Sequence, residues 1–394
     1  MHQKEVLNVG IVCGEHSGDM LGADLIEELK KQYEVNLFGV GGPKLELQGL
    51  ESVFHFSEIN IMGLIEPFFN YLKLVKLRKN LINLFINKKI DIFVGIDSPD
   101  FNIGIHKALK KQSTNKNIQL VSPSVWGWRQ GRIKSIKSYI DLTLCLFDFE
   151  HSYYKKEGHN SFHIGHPFFK SQKENDQKVF KKYNLESSKK FLSVLPGSRV
   201  SEIKNMLPVY VDFIREHSEN NKNYFYLVPA TDKKLSKLIH EFISHEDLPI
   251  LIAENSVKDF LSISEVSIVT SGTATLESAI LGCPPVICYK TNFLNYSIIS
   301  RMLKIQDVGL PNLLYGKRHY IELIQNQCNV ENIINAVNET LCFIPNREKD
   351  ASFLRNALKG KGYPEAIKAI SCLLYTSDAA DEGLGVDLGG RRII

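Results

Sequence analysis

Carboxylate and hydroxyl side chains stand together in a turn near the start of the chain, Gly14–Asp19 (GEHSGD). The glycine spacing of a dinucleotide fingerprint is missing, and Glu15 and Asp19 would repel a pyrophosphate at a helix N-terminus. Two carboxylates with a serine suit sugar hydroxyl groups better, which makes Glu15 and Ser17 candidate catalytic residues. The structural alternative is a tight turn in which Ser17 or Asp19 caps the following helix.

A second acidic pair, Asp97 and Asp100, occurs in Gly95–Phe101 (GIDSPDF). An apolar run delivers Asp97 to its carboxyl end, and Pro99 stops that strand from continuing. Asp97, partly desolvated by Phe101, could take a proton from an attacking hydroxyl group and is a candidate general base. Asp100 fits the N-cap of the next helix. A structural role for both carboxylates remains the alternative.

Anion-binding residues follow an apolar run in the second half of the chain, at Leu195–Arg199 (LPGSR). Gly197 allows close approach of a ligand to the backbone, Ser198 adds a hydroxyl group, and Arg199 offers a bidentate contact to phosphate. We expect Ser201 to cap the helix that follows. A surface turn with a solvated arginine is the alternative.

A second turn of this kind is Thr270–Glu277 (TSGTATLE), where a strand pattern runs into a helix. Small and hydroxylated residues leave the first N–H groups of the helix free, so its dipole faces any anion bound there. Glu277 lies one turn further, at a reach suited to ribose hydroxyl groups. The candidate donor-binding residues here are Ser271, Gly272, Thr273, Thr275 and Glu277.

Two segments have the composition of lipid contacts. Ile59–Phe69 (INIMGLIEPFF) is mostly apolar and leads into the lysine- and arginine-containing segment Tyr71–Asn87, the profile of an interfacial helix. A core helix with one solvated side is the alternative, and Phe293–Ile305 has the same ambiguity. Ser122–Arg132 (SPSVWGWRQGR) could line an acyl or phosphate pocket or brace the sheet. The candidate acceptor and lipid residues are Met62, Ile65, Phe68, Phe69, Trp126, Arg129 and Gln130.

These turns need parallel strands to position them, and the hydrophobic pattern supplies such strands. Short apolar runs alternate with helical patterns, the rhythm breaks at a polar interval near 166–190, and then it restarts. The sequence therefore predicts an α/β protein with two similar sheets. The predicted strands are Val6–Cys13, Val35–Val40, Ile90–Ile96, Ile118–Val121, Leu142–Phe147, Phe191–Leu195, Tyr224–Val228, Ile250–Ala253, Val266–Val269 and Pro285–Tyr289.

Composition narrows the class of protein. The 394 residues are 43% hydrophobic and carry a formal charge of +4, too mild for a dedicated nucleic-acid binder. Seven cysteines without a CxxC pair favour reduced thiols, and we expect neither a secretion signal nor a membrane-spanning helix. Residues 375–394 change composition abruptly and resemble translated sequencing-adapter read-through, so we expect a non-native, unstructured tail.

Taken together, the motifs resemble the lipid-A-disaccharide synthase family. The motifs that carry the resemblance are GEHSGD at 14–19, GVGGPKLELQG at 39–49, IMGLIE at 61–66, GIDSPDFN at 95–102, VSPSVWGWRQGR at 121–132, IGHP at 164–167, LPGSR at 195–199, SGTATLE at 271–277 and LPNLL at 310–314.

The resemblance implies the GT-B glycosyltransferase architecture, two Rossmann-like domains facing a cleft. It implies an acceptor domain at 1–168, a UDP-sugar donor domain at 169–345 in which Asn312 also contacts UDP, and helices at 346–374 that return to the first domain. It further implies an inverting reaction between UDP-2,3-diacylglucosamine and 2,3-diacylglucosamine 1-phosphate (lipid X), which yields UDP and a β-1,6-linked disaccharide 1-phosphate. No cofactor or metal is expected.

The same resemblance implies a cytoplasmic enzyme in peripheral contact with the anionic inner membrane, with no nucleic-acid partner. Its oligomeric state stays open, and a homo-oligomer is one alternative. Two other functions compete with this interpretation. One is a different enzyme of the same fold, such as a UDP-N-acetylglucosamine 2-epimerase or the lipid-linked muropeptide glucosaminyltransferase. The other is a noncatalytic nucleotide-sugar or lipid carrier, which would not need Asp97.

Overall fold

The computed structural model describes residues 4–59, 71–127, 129–244, 246–291, 307–342 and 347–382. The chain divides into two compact units. The first unit runs to His166 and resumes at Lys359, and the second unit is Pro167–Leu358. Each unit contains one six-stranded sheet in which neighbouring strands are parallel.

The sheet of the first unit has the strand order β2-β1-β3-β4-β5-β6. Its strands are β1 (Val6–Cys13), β2 (Glu34–Val40), β3 (Ile92–Ile96), β4 (Lys116–Leu120), β5 (Leu142–Cys145) and β6 (Ser161–His163). Its described helices are α1 (His16–Gln32), α2 (Pro43–Leu47), α3 (Tyr71–Asn87), α4 (Pro99–Gln112), α5 (Ile133–Tyr139) and α6 (Asp148–Lys156).

The sheet of the second unit has the order β12-β11-β10-β7-β8-β9. Its strands are β7 (Lys190–Leu195), β8 (Tyr224–Ala230), β9 (Ile250–Glu254), β10 (Val266–Thr270), β11 (Pro285–Tyr289) and β12 (Glu322–Ile324). Its described helices are α7 (Asp176–Tyr183), α8 (Val200–Asn220), α9 (Lys233–Ile243), α10 (Val257–Ile263), α11 (Thr273–Ile280), α12 (Leu310–Tyr315), α13 (Val330–Cys342) and α14 (Arg347–Ala357).

Every strand predicted from the hydrophobic pattern is present, and the prediction of two Rossmann-like domains is confirmed. Central strands such as β3 and β10 are buried along their whole length, because helices cover both faces of a parallel sheet. The edge strands β6 and β12 were not predicted. Each has three residues, which is too short for a hydrophobic pattern to indicate.

The strand orders place a topological switch point in each sheet. In the first unit the order reverses between β1 and β3, and in the second unit it reverses between β7 and β10. Crossover connections leave these two strands in opposite directions, which opens a crevice at their carboxyl ends where ligands of parallel α/β sheets bind. The four motifs predicted to carry chemistry follow these four strands.

The chain returns to the first unit later than expected. Instead of packing back from residue 346, α14 contacts α11 and α12 of the second unit. The return begins at Lys359, which pairs with Gly165, and continues as helix α15 (Gly362–Glu382). The hydroxyl group of Tyr363 donates to the Leu21 carbonyl oxygen at 3.2 Å.

Helix α15 also corrects the prediction that the tail is unstructured from residue 375. The helix continues through Tyr375, whose hydroxyl donates to Glu5 Oε2 at 3.2 Å, and ends at Glu382. Ser377–Glu382 contains two alanines and no proline or glycine, so nothing in that segment stops a helix that has already begun.

Two further expectations from the sequence concern the cysteines, as reduced thiols, and the helices, as too short or too polar to span a membrane. All seven cysteines are free, and five of them are buried. In the described ranges, no helix is both long and apolar enough to cross a membrane.

Candidate functional site

The crevice of the first unit is bordered by a strained turn at the end of β3. Asp97 and Ser98 both have left-handed backbone conformations, with φ of 48° and 41°. Consecutive non-glycine residues in this region are rare and costly, and such strain concentrates at functional sites. The left-handed conformation turns the chain sharply after the strand, and Ser98 then serves as the N-cap residue of α4.

Two buried amides hold this turn in place. The Asp97 carbonyl oxygen accepts hydrogen bonds from Asn102 Nδ2 at 2.9 Å and from Gln119 Nε2 at 3.1 Å. Gln119 Oε1 in turn lies 3.1 Å from Nε2 of buried His106, and burial lowers the pKa of that imidazole to about 4, so it is neutral. Neither amide was predicted, although buried polar residues within apolar segments were the available signal.

The turn after β1 lies beside Asp97. Cys13 is in register with Ile96, so Gly14 and Glu15 follow on the strand next to Asp97. Glu15 is the N-cap residue of α1 but makes no side-chain capping bond, and it is half-buried. Ser17 is exposed in the first turn of α1. The structure therefore brings the predicted catalytic residues to one crevice, and neither Ser17 nor Asp19 caps α1.

Asp19 has a structural role instead. Its buried carboxylate accepts backbone hydrogen bonds from Gly42 at 2.8 Å, Lys44 at 2.8 Å and Leu45 at 3.1 Å, which caps helix α2. A side chain at Gly42 would collide with this carboxylate, since a Cβ there would lie 2.8 Å from Asp19 Oδ2. The second acidic residue of the motif fixes the loop after β2 and does not face a ligand.

Asp100 is not the N-cap residue of α4, because Ser98 occupies that position. Its carboxylate forms ion pairs with the guanidinium groups of Arg129 and Arg132. Arg129 has a left-handed backbone conformation and precedes a short 3-10 helix that begins at Gln130. The loop after β4 therefore contains three residues predicted to contact the acceptor, which are Trp126, Arg129 and Gln130. Trp126 packs edge-on against Phe149.

A buried carboxyl group, Glu150, lies close enough to Asp97 to interact with its charge. Glu150 is in the first turn of α6, and its Oε2 accepts a hydrogen bond from the Phe147 backbone at 3.3 Å. Burial raises the pKa of Glu150 to about 8, and the negative charge of Asp97 acts in the same direction. At neutral pH the group is mostly protonated. The sequence did not single it out, because a glutamate in a first helical turn usually faces solvent.

In the second unit, the turn after β7 is organised by a carboxylate that the sequence analysis missed. Glu202 Oε2 accepts the Ser198 N–H at 2.9 Å, and Glu202 Oε1 pairs with Arg199 Nη1 at 2.5 Å. Gly197 has φ of +120°, and a Cβ there would lie 2.6 Å from Glu202 Cβ, so glycine is required. Arg199, and not Ser201, is the N-cap residue of α8.

The turn after β10 presents a helix N-terminus at the same crevice, since Val269 is in register with Leu195. Gly272 is the N-cap residue of α11, and Thr275 Oγ1 bonds back to its carbonyl oxygen at 2.7 Å. Ser271 is half-buried, and Thr273 is exposed in the first turn. Burial raises the pKa of the Glu277 carboxyl to about 7, against the opposing charge of Lys258.

Asn312 does not fit the predicted contact with UDP. Its Nδ2 donates to the Tyr320 carbonyl oxygen at 2.9 Å and to Glu322 Oε1 at 2.8 Å. Its Oδ1 accepts the backbone N–H groups of His319 at 2.9 Å and Tyr320 at 2.8 Å. These four bonds use the full hydrogen-bonding capacity of an amide, so Asn312 braces the loop before β12.

The predicted lipid contacts Met62, Ile65, Phe68 and Phe69 lie outside the described residues. The segment Phe293–Ile305 lies outside them too. Helix α3 begins after the first of these segments. Leu72 and Val75 are exposed near its start, whereas Leu81 and Phe85 are buried in the core of the first unit. The helix therefore has features of both alternatives, the core helix and the interfacial helix. One apolar face packs in the core, and apolar residues near its N-terminus are exposed.

The described residues thus form two chemically different sites. Acidic groups surround the switch point of the first unit, which suits proton removal from a hydroxyl group. An arginine and a helix N-terminus border the switch point of the second unit, which suits a diphosphate. Among the residues described, no group of three or more His, Cys, Asp or Glu side chains is arranged to hold a metal ion.

Comparison with known proteins shows the family. The sequence profile described as lipid-A-disaccharide synthetase matches residues 9–367. The chain belongs to this family. It is therefore a glycosyltransferase of the class that forms the lipid A disaccharide.

Relatives are similar over most of their length. Lipid-A-disaccharide synthase 2 of Legionella pneumophila (strain Philadelphia 1) is 38% identical over 344 residues, which cover 86% of this chain and 89% of the relative. The lipid-A-disaccharide synthase of Acinetobacter baylyi is 35% identical over 349 residues, covering 85% of this chain and 88% of the relative.

Solved structures show the fold at low sequence identity. The S. aureus MnaA-UDP co-structure has a TM-score of 0.59 and 13% identity, covering 92% of this chain and 94% of that chain. The α,α-trehalose 6-phosphate synthase of Burkholderia multivorans has a TM-score of 0.56 and 14% identity, with both chains covered completely. Both support the architecture of two Rossmann-like domains.

The buried Glu150 carboxyl predicts a pH dependence of stability. A carboxyl with a pKa of about 8 in the folded state and 4.5 when solvated destabilises the fold progressively as pH rises between these values. Glu150→Gln, which cannot ionise, should abolish this loss. Between pH 5 and pH 9 the parent should lose about 4 kcal/mol more unfolding free energy than the variant, measured by urea unfolding. Equal losses in the two proteins would contradict the assignment.

Proposed function

We propose that this chain joins UDP-2,3-diacylglucosamine to 2,3-diacylglucosamine 1-phosphate (lipid X), releasing UDP and a β-1,6-linked disaccharide 1-phosphate with inversion. Family membership supports the reaction class, and the carboxylate at the first switch point carries the assignment. A carboxylate held in a strained turn at a ligand-binding crevice is the group that a hydroxyl nucleophile requires.

Asp97 acts as the general base in this proposal. It removes the proton from the acceptor 6-hydroxyl as the oxygen attacks the anomeric carbon of the donor. A single displacement of this kind inverts the anomeric centre. Glu15 and Ser17, on the neighbouring turn, orient the acceptor hydroxyl groups. Glu150 is mostly neutral at pH 7, so it adds little negative charge near Asp97.

The second unit binds the UDP portion of the donor. Arg199, oriented by Glu202, and the N-terminus of α11 stabilise the negative charge that develops on the leaving diphosphate. Ser198, Ser271 and the hydroxyl groups of Thr273 and Thr275 lie on the same two turns. Glu277 accepts hydrogen bonds from the ribose. Asn312 contributes only by bracing the loop before β12.

The enzyme works at the cytoplasmic face of the inner membrane in this proposal, because both substrates carry acyl chains. Leu72 is 81% exposed at the start of α3, and Val75 follows one turn later. Lys76 and Lys79 are exposed on the same helix, whereas Lys73 is paired with Glu58. Exposed apolar side chains beside lysines favour reversible binding to an anionic surface.

Asp97→Asn tests the chemistry. The variant should lose at least about a thousandfold in turnover while its UDP affinity stays near that of the parent, because the carboxylate acts on the acceptor. UDP release is measured with donor alone and with donor plus lipid X. The parent should release UDP only when both are present, whereas a 2-epimerase would convert the donor alone. Full activity of the variant would refute the role of Asp97.

Glu277 should give UDP binding a pH dependence. Ionisation of Glu277 near pH 7 strengthens the hydrogen bond that it accepts from the ribose. The affinity of the parent for UDP should therefore rise several-fold between pH 6 and pH 8. This rise is measured relative to any change that Glu277→Gln shows over the same pH range. The variant corrects for the titration of the UDP phosphate itself, which has a pKa of about 6. Calorimetric titration measures both proteins. Parallel pH profiles would remove Glu277 from the ribose site.

The membrane contact is tested with Leu72→Ser combined with Val75→Ser. Loss of two apolar side chains from the lipid should weaken association with phosphatidylglycerol-containing vesicles by about tenfold, with no loss of melting temperature. Leu47→Ser is a matched control, because Leu47 is also 81% exposed but lies on α2. Vesicle sedimentation compares the three proteins. Unchanged binding of the double variant would exclude the start of α3 from the contact.

A further inference from the structure

The side chain of Gln119 links the ends of two neighbouring strands. Its Nε2 donates to the carbonyl oxygens of Asp97 at 3.1 Å, Leu120 at 3.2 Å and Val121 at 3.2 Å. Asp97 follows β3, whereas Leu120 ends β4 and Val121 begins the loop after it. Val121 has φ of 70°, a costly conformation for a β-branched residue. One amide therefore bonds two strained turns, that of the proposed general base and that of the loop with the predicted acceptor contacts.

His106 fixes the orientation of this amide. Carbonyl oxygens only accept hydrogen bonds, so the amide nitrogen of Gln119 faces them and its Oε1 faces His106. His106 Nε2 lies 3.1 Å from that oxygen and must carry the ring proton, because the oxygen only accepts. The imidazole is fully buried on α4, and Asn117 Nδ2 donates to the His106 carbonyl oxygen at 3.0 Å. The buried ring is therefore the donor that keeps Gln119 turned towards the three carbonyl oxygens.

The strand beside the pair leaves room for it and for nothing else. A Cβ at Gly95 on β3 would lie 2.9 Å from His106 Nε2 and 3.0 Å from Gln119 Oε1. On its other side the imidazole packs edge-on against Phe93, with ring centroids 4.8 Å apart. A glycine in a strand interior weakens the strand and marks a close approach. Here the approaching group is the hydrogen bond between His106 and Gln119.

Stability alone does not require polar groups at these positions. Replacing both partners of a buried hydrogen bond by apolar groups of the same shape is often nearly neutral. What a satisfied buried network adds is one defined geometry. A displacement of a reacting group by about 1 Å can cost about a hundredfold in rate, so geometry matters most beside the proposed general base.

We propose that His106 and Gln119 are positioning residues for the general base, and that they couple the Asp97 turn to the loop after β4. Both side chains are buried, so they act through the backbone of Asp97 and do not touch the substrate. This inference rests on the proposed function, because it takes Asp97 as the base from there. It adds that the base and the loop after β4 keep their positions through a shared amide.

The first test compares two variants of His106. His106→Phe keeps a buried ring but removes the donor, whereas His106→Gln places an amide nitrogen where the imidazole Nε2 was. His106→Phe should lower kcat for UDP release from donor plus lipid X by about tenfold to a hundredfold, because the base is displaced. Its affinity for UDP should equal that of the parent. His106→Gln should retain kcat within about threefold of the parent value.

Two further variants separate positioning from stability. Gln119→Met keeps a side chain of similar length without the amide and should lower kcat by a similar factor. His217→Phe is the matched control, because His217 is also buried and its Nδ1 lies 2.6 Å from Tyr226 Oη, but it belongs to α8 of the second unit. The control should keep the kcat of the parent even if its melting temperature falls.

Three kinetic results would overturn the proposal. One is a kcat equal to that of the parent in both His106→Phe and Gln119→Met. Another is an equal loss of kcat in His106→Phe and His106→Gln, since the donor would then not matter. The third is a loss in His217→Phe as large as that in His106→Phe, which would attribute both losses to lowered stability.

The second test follows the two turns without any substrate. The backbone N–H groups of Asp97 and Val121 donate to the carbonyl oxygens of Leu120 at 2.9 Å and Leu144 at 3.1 Å. Their hydrogen exchange, measured by mass spectrometry of overlapping peptides, therefore reports the opening of each turn. Both should exchange at least about tenfold faster in Gln119→Met than in the parent. Faster exchange at Asp97 alone would refute the coupling, and unchanged exchange at both would refute the positioning role.

The two tests separate this proposal from the proposed reaction. If the parent releases no UDP with lipid X, the reaction is refuted, and the exchange measurement still decides whether Gln119 holds both turns. Turnover that requires Asp97, combined with unchanged kcat in His106→Phe and Gln119→Met, would refute the positioning role alone.

Discussion

The left-handed turn at Asp97 and Ser98 is the constraint on which the chemistry of the first unit depends. Each such residue costs about 1–3 kcal/mol, and the turn persists because Asn102 and Gln119 both bond the Asp97 carbonyl oxygen from beneath. Those amides are buried and would be costly to leave unpaired. The core therefore fixes the direction in which Asp97 leaves its strand.

Several carboxylates among the described residues hold loops in place. Asp19 caps α2, Glu202 organises the turn after β7, and Glu322 accepts the backbone N–H groups of Val308 and Gly309. These groups are satisfied by charge-assisted bonds to the backbone, which shape the loops at the carboxyl ends of the strands.

The two units place groups of opposite charge at their switch points, which matches the two halves of a glycosyl transfer. In the proposed reaction, acidic groups at the first switch point serve a hydroxyl nucleophile, and the arginine and helix N-terminus at the second stabilise a diphosphate leaving group. Burial adjusts both sites, since Glu150 and Glu277 have pKa values of about 8 and 7. At neutral pH Glu150 is mostly protonated, whereas Glu277 is about half ionised.

The sequence by itself determined the sheets, the order of the motifs and the family, because apolar runs of strand length and turn residues are local properties. It also located Asp97, Glu15 and Arg199 directly after strands, and Glu277 in the helix that follows a strand. Only the tertiary structure decided which carboxylates hold loops. In the sequence, Asp19 and Asp100 could not be distinguished from Glu15 and Asp97, and Asn312 resembled a ligand contact. The partners of these three residues come from distant loops. Glu150 and the two amides that bond the Asp97 carbonyl oxygen, Asn102 and Gln119, could not be predicted for the same reason. Burial and hydrogen-bond satisfaction are set by contacts between residues far apart in the chain.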